Sequence, residues 1–200
     1  SISTATSVSV AYLHTCAVIY GGTVKCWGSG EYGRLGNGST DNQTSPVSVS
    51  NISNAISIST GVNSSNCAVL SGGTVKCWGY GGYGQLGNGS TSNQTSPVSV
   101  SSISTAASVS VGGKHTCGVL SGGALKCWGS GEYGRLGNGD TSNQSTPVSV
   151  SISTVASASA GGEHTCAVLS GGSLKCWGYG EYGQLGNGSF DNQYTPVTVK

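Results

Sequence analysis

Short runs in which apolar and small polar residues alternate recur along the chain, separated by tracts of Gly, Ser, Asn and Thr. Ala107 to Val111 reads Ala-Ser-Val-Ser-Val, a period of two that predicts a strand. Gly112-Gly113-Lys114 turns the chain, and His115 to Leu120 forms a second strand. Ser121-Gly122-Gly123 suits a short hairpin loop, and Ala124 to Trp128 returns as a third strand. After the Gly-rich stretch Gly129 to Asn143, a short fourth strand, Pro147 to Val150, begins at the proline. No segment shows helical spacing with caps, so every predicted element is a strand.

The same pattern appears four times. Its core, HTCAVLSGGTVKCWG and near copies, is followed each time by a Tyr-Gly-x-Leu-Gly-Asn-Gly segment. The first cysteine of each copy is Cys16, Cys67, Cys117 and Cys166, so the steps are 51, 50 and 49 residues. A step this constant marks one structural unit used repeatedly. Four short antiparallel strands in about fifty residues is the size of one propeller blade. The expected fold is all-β, a β-propeller-like array of four four-stranded antiparallel blades. The blades fall at residues 1–50, 51–101, 102–150 and 151–200.

The hairpin gives the cysteines a function. A three-residue loop at Tyr20-Gly21-Gly22 pairs Ile19 with Thr23 and sets Cys16 opposite Cys26. Directly opposed residues of the closer kind can be bridged. A two-residue loop would instead set Cys16 opposite Trp27 and make the bridge diagonal. The expected pairs are Cys16 with Cys26, Cys67 with Cys77, Cys117 with Cys127, and Cys166 with Cys176. Trp27, Trp78, Trp128 and Trp177 follow the second cysteines and so point to the other face of the strand. They are expected to fill the space between blades. Leu35, Leu86, Leu136 and Leu185, with Tyr32, Tyr83, Tyr133 and Tyr182, are expected to share that interblade packing.

Charge narrows the function. Eight Lys and Arg against seven Asp and Glu leave a net charge of +1, with no basic stripe for nucleic acid. Eight cysteines in four equally spaced pairs read as a disulfide framework in an oxidising compartment. Solubility rests on Ser, Thr, Asn and 35 glycines, as in secreted or surface proteins. Eight Asn-x-Ser/Thr sequons would permit glycosylation. No apolar run reaches the roughly 18 residues of a membrane span. The absence of Met, even at position 1, suggests a processed chain or an excerpt of a longer one.

The run G-G-x-H-T-C-A-V-L-S-G-G-x-V-K-C-W-G-x-G-x-Y-G-Q-L-G-N-G, then P-V-x-V, resembles the repeat of the regulator of chromosome condensation family. It is similar in particular to the Cys-containing bacterial version. The resemblance covers essentially the whole chain. It implies four-stranded blades of a β-propeller, usually seven-bladed, and a fold used to bind other proteins. Four blades depart from that number, and repeat two has Ser65 and Asn66 where the others have His and Thr.

Other chemistry has weaker support. Gly28, Gly30 and Gly33 match a dinucleotide fingerprint in form, but no helix follows to hold a pyrophosphate. His14, Cys16 and Cys26 are too widely spaced for an ordinary zinc site. His14, His115 and His164 are expected to hydrogen-bond the backbone at the entry to the second strand. Glu31, Glu132 and Glu181 sit on separate blades, too far apart for a carboxylate pair. The reading is therefore a non-enzymatic scaffold without metal or cofactor, extracellular or at the cell surface, and a subunit of a surface assembly or filament. Self-association into a dimer, ring or filament is expected. The alternative is a secreted protein- or glycan-binding propeller of lectin-like or inhibitor-like kind.

Overall fold

A computed structural model describes residues 2–200. Sixteen strands form four sheets, and within each sheet the strands follow chain order and run antiparallel. The first sheet holds β1 (Ala5–Val10), β2 (His14–Ile19), β3 (Val24–Gly28) and β4 (Gln43–Ser48). The second holds β5 (Ala55–Thr60), β6 (Ser65–Leu70), β7 (Val75–Gly79) and β8 (Gln94–Ser99). The third holds β9 (Ala106–Val111), β10 (His115–Leu120), β11 (Leu125–Gly129) and β12 (Gln144–Ser149). The fourth holds β13 (Val155–Ala160), β14 (His164–Leu169), β15 (Leu174–Gly178) and β16 (Gln193–Thr198). The chain is an all-β propeller-type array.

The three-residue hairpin loop sets the register. Ile19 N–H donates to Thr23 C=O at 2.8 Å, and Cys16 stands opposite Cys26. All four expected cysteine pairs are bonded, each with Cα atoms 4.1 Å apart. That separation belongs to the closer type of antiparallel pair.

The fourth strand begins earlier than the sequence suggests. β12 starts at Gln144, so Pro147 lies inside it rather than at its head. A bulge explains this, because the register runs from Cys127 with Val148 to Gly129 with Gln144. As the outermost strand, β12 also leaves one side free, where a proline costs no ladder bond.

The core lies between blades. Val18 and Val24 of the first sheet, with Leu35 and Val49 from its connections, close on Ala55, Ile58, Leu70 and Trp78 of the second. Val69, Val75, Leu86 and Val100 likewise meet Ala106, Val111 and Trp128. Val119, Leu125, Leu136 and Val150 meet Val155, Ala167 and Trp177. In each cluster the disulfide of one blade faces the tryptophan of the next, as expected of neighbours that point to opposite faces.

Candidate functional site

Strand direction sorts the loops. The first-to-second and third-to-fourth connections of every sheet leave from one end, and the others leave from the opposite end. All seven acidic residues lie in the first set: Glu31, Asp41, Glu132, Asp140, Glu163, Glu181 and Asp191. Seven of the nine tyrosines join them: Tyr12, Tyr32, Tyr80, Tyr83, Tyr133, Tyr179 and Tyr182. The connections at the opposite end contain no charged residue. One end of the array therefore carries all of its acidic residues and most of its tyrosines.

On this face the tyrosines bridge neighbouring blades at the surface. The Tyr32 ring lies 5.1 Å from Tyr80, which meets Tyr83 edge-on at 6.0 Å. Tyr133, Tyr179 and Tyr182 repeat the arrangement at 4.8 and 6.0 Å. Between these clusters Lys114 Nζ sits 5.4 Å from the Tyr83 ring centre. Tyr32 is 41% exposed and Tyr182 83%, so this series lies at the rim and the leucine series, at 0%, inside. Tyr12, Tyr32, Tyr80 and Tyr83 line a cleft of about 370 Å³ with Arg34, Glu31 and Asn63.

The loop that carries the tyrosines differs between odd and even repeats. In the first and third, Arg34 and Arg135 donate Nε–H to the carbonyls of Glu31 and Glu132. Tyr32 and Tyr133 then adopt left-handed backbone with φ of 61° and 60°. In the second and fourth, Gln85 and Gln184 Oε1 accept the N–H of Tyr83 and Tyr182 instead, both at 2.9 Å. The Arg135 side chain is fully buried and ion-paired with Glu132 and with Glu163 of the next blade. Lys114 meets the same two carboxylates at 3.8 and 3.6 Å. At the outer edge, Glu181 accepts a hydrogen bond from the Tyr179 hydroxyl and pushes that phenol up to about 12.

Beneath this face a single device ties blade to blade. The carbonyls of Arg34, Gln85 and Arg135 each accept two bonds from the following blade. One comes from the indole Nε1–H of Trp78, Trp128 and Trp177, at 3.1, 2.9 and 3.0 Å. The other comes from the side chains of Asn66, Thr116 and Thr165, at 2.8, 2.9 and 2.8 Å. His14 Nε2 then meets Asn66 Oδ1 at 2.6 Å, and His115 Nε2 meets Thr165 Oγ1 at 2.7 Å. His14 and His115 therefore bind a side chain of the next blade rather than the local backbone. Ser65, in repeat two, makes no such bond. Trp27 is half-buried beside Leu13 and Gly28.

These partners were hidden in the sequence because they lie 30 to 52 residues apart, on neighbouring blades. Gly30, in the apparent dinucleotide motif, donates its N–H to Asn42 Oδ1 at 3.0 Å, and any Cβ there would collide with the Asp41 carbonyl. Those glycines permit the loop to fold back on itself.

Burial drives the His115 imidazole down to about 3, from an ordinary value near 6.5. The unfolded chain takes up this proton below about 6.5 and the folded chain does not until about 3. Stability from this group is complete above 6.5 and falls with each step of acidification to 3. The slope approaches about 1.4 kcal/mol per pH unit, or about 2 kcal/mol lost by pH 5. His115→Ser, which copies Ser65, is expected to flatten that slope in denaturant titrations between pH 7 and 4. An unchanged slope would remove His115 as its source.

A family model described as "Regulator of chromosome condensation (RCC1) repeat" matches residues 21–68, 72–119, 123–168 and 172–200. Each match begins within the hairpin of one sheet, so the sequence repeat and the sheet are out of phase. The chain is 40% identical over 89 residues to Probable E3 ubiquitin-protein ligase HERC4 of Homo sapiens, covering 44% of this chain and 8% of that protein. It is 33% identical over 98 residues to Ultraviolet-B receptor UVR8 of Arabidopsis thaliana, covering 48% and 22%. Human WBSCR16 superposes with a TM-score of 0.87 at 24% identity, covering 98% of this chain and 53% of that one. Yeast RCC1 (Prp20), solved bound to Kap60, gives 0.87 at 20% identity, covering 100% and 50%. The chain thus spans about half of these structures and under a quarter of the two curated relatives.

Proposed function

The chain belongs to the family of regulator of chromosome condensation repeats, and on that premise we propose that it is an extracellular, non-enzymatic scaffold that binds other proteins through its tyrosine-rich loop face. The segregation of all seven acidic residues and seven tyrosines to one end carries this reading. Tyrosine and arginine are enriched at the centres of protein contact surfaces, and charged residues belong to the polar rim around them. Propellers of this fold bind proteins, as the Kap60 complex of yeast RCC1 illustrates. The four intrachain disulfides suit an oxidising exterior, and the regular blades suit a subunit of a larger surface assembly or filament.

The test uses two tyrosines of nearly equal exposure, Tyr12 on the loop face at 83% and Tyr20 at the opposite end at 80%. Membrane-impermeant iodination of intact cells that display the protein is expected to label Tyr20 and spare Tyr12 and Tyr32. In the purified protein all three are expected to react. Failure to label Tyr20 would contradict an exterior location. Equal labelling of Tyr12 and Tyr20 on cells would contradict the loop face as the contact surface.

A second reading has one specific observation in its favour. The cleft between Tyr12, Tyr32, Tyr80 and Tyr83 has the size of a small-ligand site, which suits a lectin-like or inhibitor-like propeller. Glycan-array binding lost on Tyr80→Ala would favour it over the protein-binding reading.

A further inference from the structure

The loop face holds the same side-chain cluster twice, and the two copies differ by one ion pair. Arg34, Glu31, Tyr32 and Tyr80, between the first and second blades, correspond to Arg135, Glu132, Tyr133 and Tyr179, between the third and fourth. Around Arg135 the cluster is completed by Lys114 and Glu163, whose charged groups lie 3.6 Å apart. Backbone bonds identify their counterparts. Ser130 N–H donates to the Lys114 carbonyl and Ser29 N–H to that of Leu13, both at 2.9 Å. Tyr179 N–H donates to the Glu163 carbonyl at 3.0 Å and Tyr80 N–H to that of Ser64 at 3.1 Å. Leu13 therefore stands in the place of Lys114, and Ser64 in the place of Glu163. The loop that carries Ser64 runs from residue 61 to 64, one residue longer than the loop of Glu163, and holds Ser64 at a left-handed φ of 78°.

The exchange leaves Arg34 half served. Its side chain is only 3% exposed, yet among the described residues it donates to Glu31 alone. Arg135 is held by carboxylates from two blades. Where the second ion pair would sit, the first cluster has the cleft of about 370 Å³, which Leu13, Ser64, Arg34 and Glu31 help to line. Its walls belong to two adjoining blades within the chain.

We propose that this cleft binds a free α-amino acid, whose ammonium and carboxylate take the places that Lys114 and Glu163 fill at the other cluster. Charge balance selects a zwitterion. Arg34 and Glu31 already neutralise each other, as the two cations and two carboxylates around Arg135 do. A carboxylate or an ammonium alone would bring an uncompensated charge to a partly buried site. The two charges of an α-amino acid flank one carbon, about 3 Å apart by ordinary bond lengths and angles, close to the separation in the Lys114–Glu163 pair. The carboxylate would accept charge-assisted bonds from the Arg34 guanidinium, and the ammonium would face Glu31. Tyr32, Tyr80 and Tyr83 line the rest of the space, which suits an aromatic or large apolar side chain. The proposal rests on the reading of the cleft as a small-ligand site and names the ligand class.

Isothermal titration calorimetry of the oxidised protein tests this with L-phenylalanine, 3-phenylpropanoate and phenethylamine. L-Phenylalanine is expected to bind one molecule per chain, and the two probes that lack one charge at least about tenfold more weakly. Arg34→Gln copies Gln85 and Gln184, which stand at this position in the second and fourth blades. It is expected to weaken L-phenylalanine binding at least about tenfold. Leu13→Lys restores the missing ammonium and is expected to reverse the order, so that 3-phenylpropanoate binds more tightly than L-phenylalanine. Retained disulfides and strand circular dichroism in both variants separate a lost site from a lost fold. No saturable binding of L-phenylalanine, equal binding of the three probes, binding unaffected by Arg34→Gln, or an unchanged order in Leu13→Lys would each overturn the proposal. Glycan-array binding without any response to L-phenylalanine would overturn it and leave the cleft as a ligand site, whereas silence in both assays would remove both readings.

Discussion

Trp128→Ala is expected to destabilise the protein by about 3–5 kcal/mol, the cost of emptying a large, fully packed site. Trp128 has no exposed surface, packs among Val69, Val75 and Leu86 of the preceding blade, and donates its indole N–H to the Gln85 carbonyl. Substitution removes the ring from the core and leaves that carbonyl with Thr116 alone. Urea denaturation measures the loss. A cost below about 1 kcal/mol would mean that Trp128 does not hold the second and third blades together.

Reduction of the disulfides has the other large effect. Each bridge spans a sequence separation of 10 residues, and closing a loop of that size is worth about 2.5–3 kcal/mol in the chain-entropy account. Four such terms together are comparable with the whole stability of an ordinary domain, about 5–15 kcal/mol. The reduced chain is therefore expected to lose its strand circular dichroism at room temperature. Before reduction, native protein should show no alkylatable thiol. Persistence of native circular dichroism in excess reductant would show that the interblade cores suffice alone. Replacing Cys67 and Cys77 together by Ala isolates one bridge, and should cost more than the same change at Cys166 and Cys176. The first pair is fully buried in an interblade core, and Cys166 is only half-buried.

Much of this was legible in the chain. The period-two runs and Gly-Gly turns located the strands, and counting outward from a three-residue hairpin placed Cys16 opposite Cys26. Alternation along a strand gave Trp the face opposite Cys. The start of the fourth strand was less legible, because Pro147 looks like a beginning when a bulge is not foreseen. The junction device was hidden for a different reason. Its acceptor is a backbone carbonyl, at Arg34, Gln85 or Arg135, and a carbonyl leaves no trace in residue type. The loop face could have been found from sequence. Acidic residues and tyrosines avoid the hairpin turns almost completely, and strand parity alone assigns the remaining loops to one end.

All three junctions between the four blades use the same indole-to-carbonyl bond. Hydrogen exchange of the indole N–H groups by NMR reads this directly. Trp78, Trp128 and Trp177 are expected to exchange slowly, with the opening of the fold. Rapid exchange at Trp128 would contradict the shared junction on which the account depends.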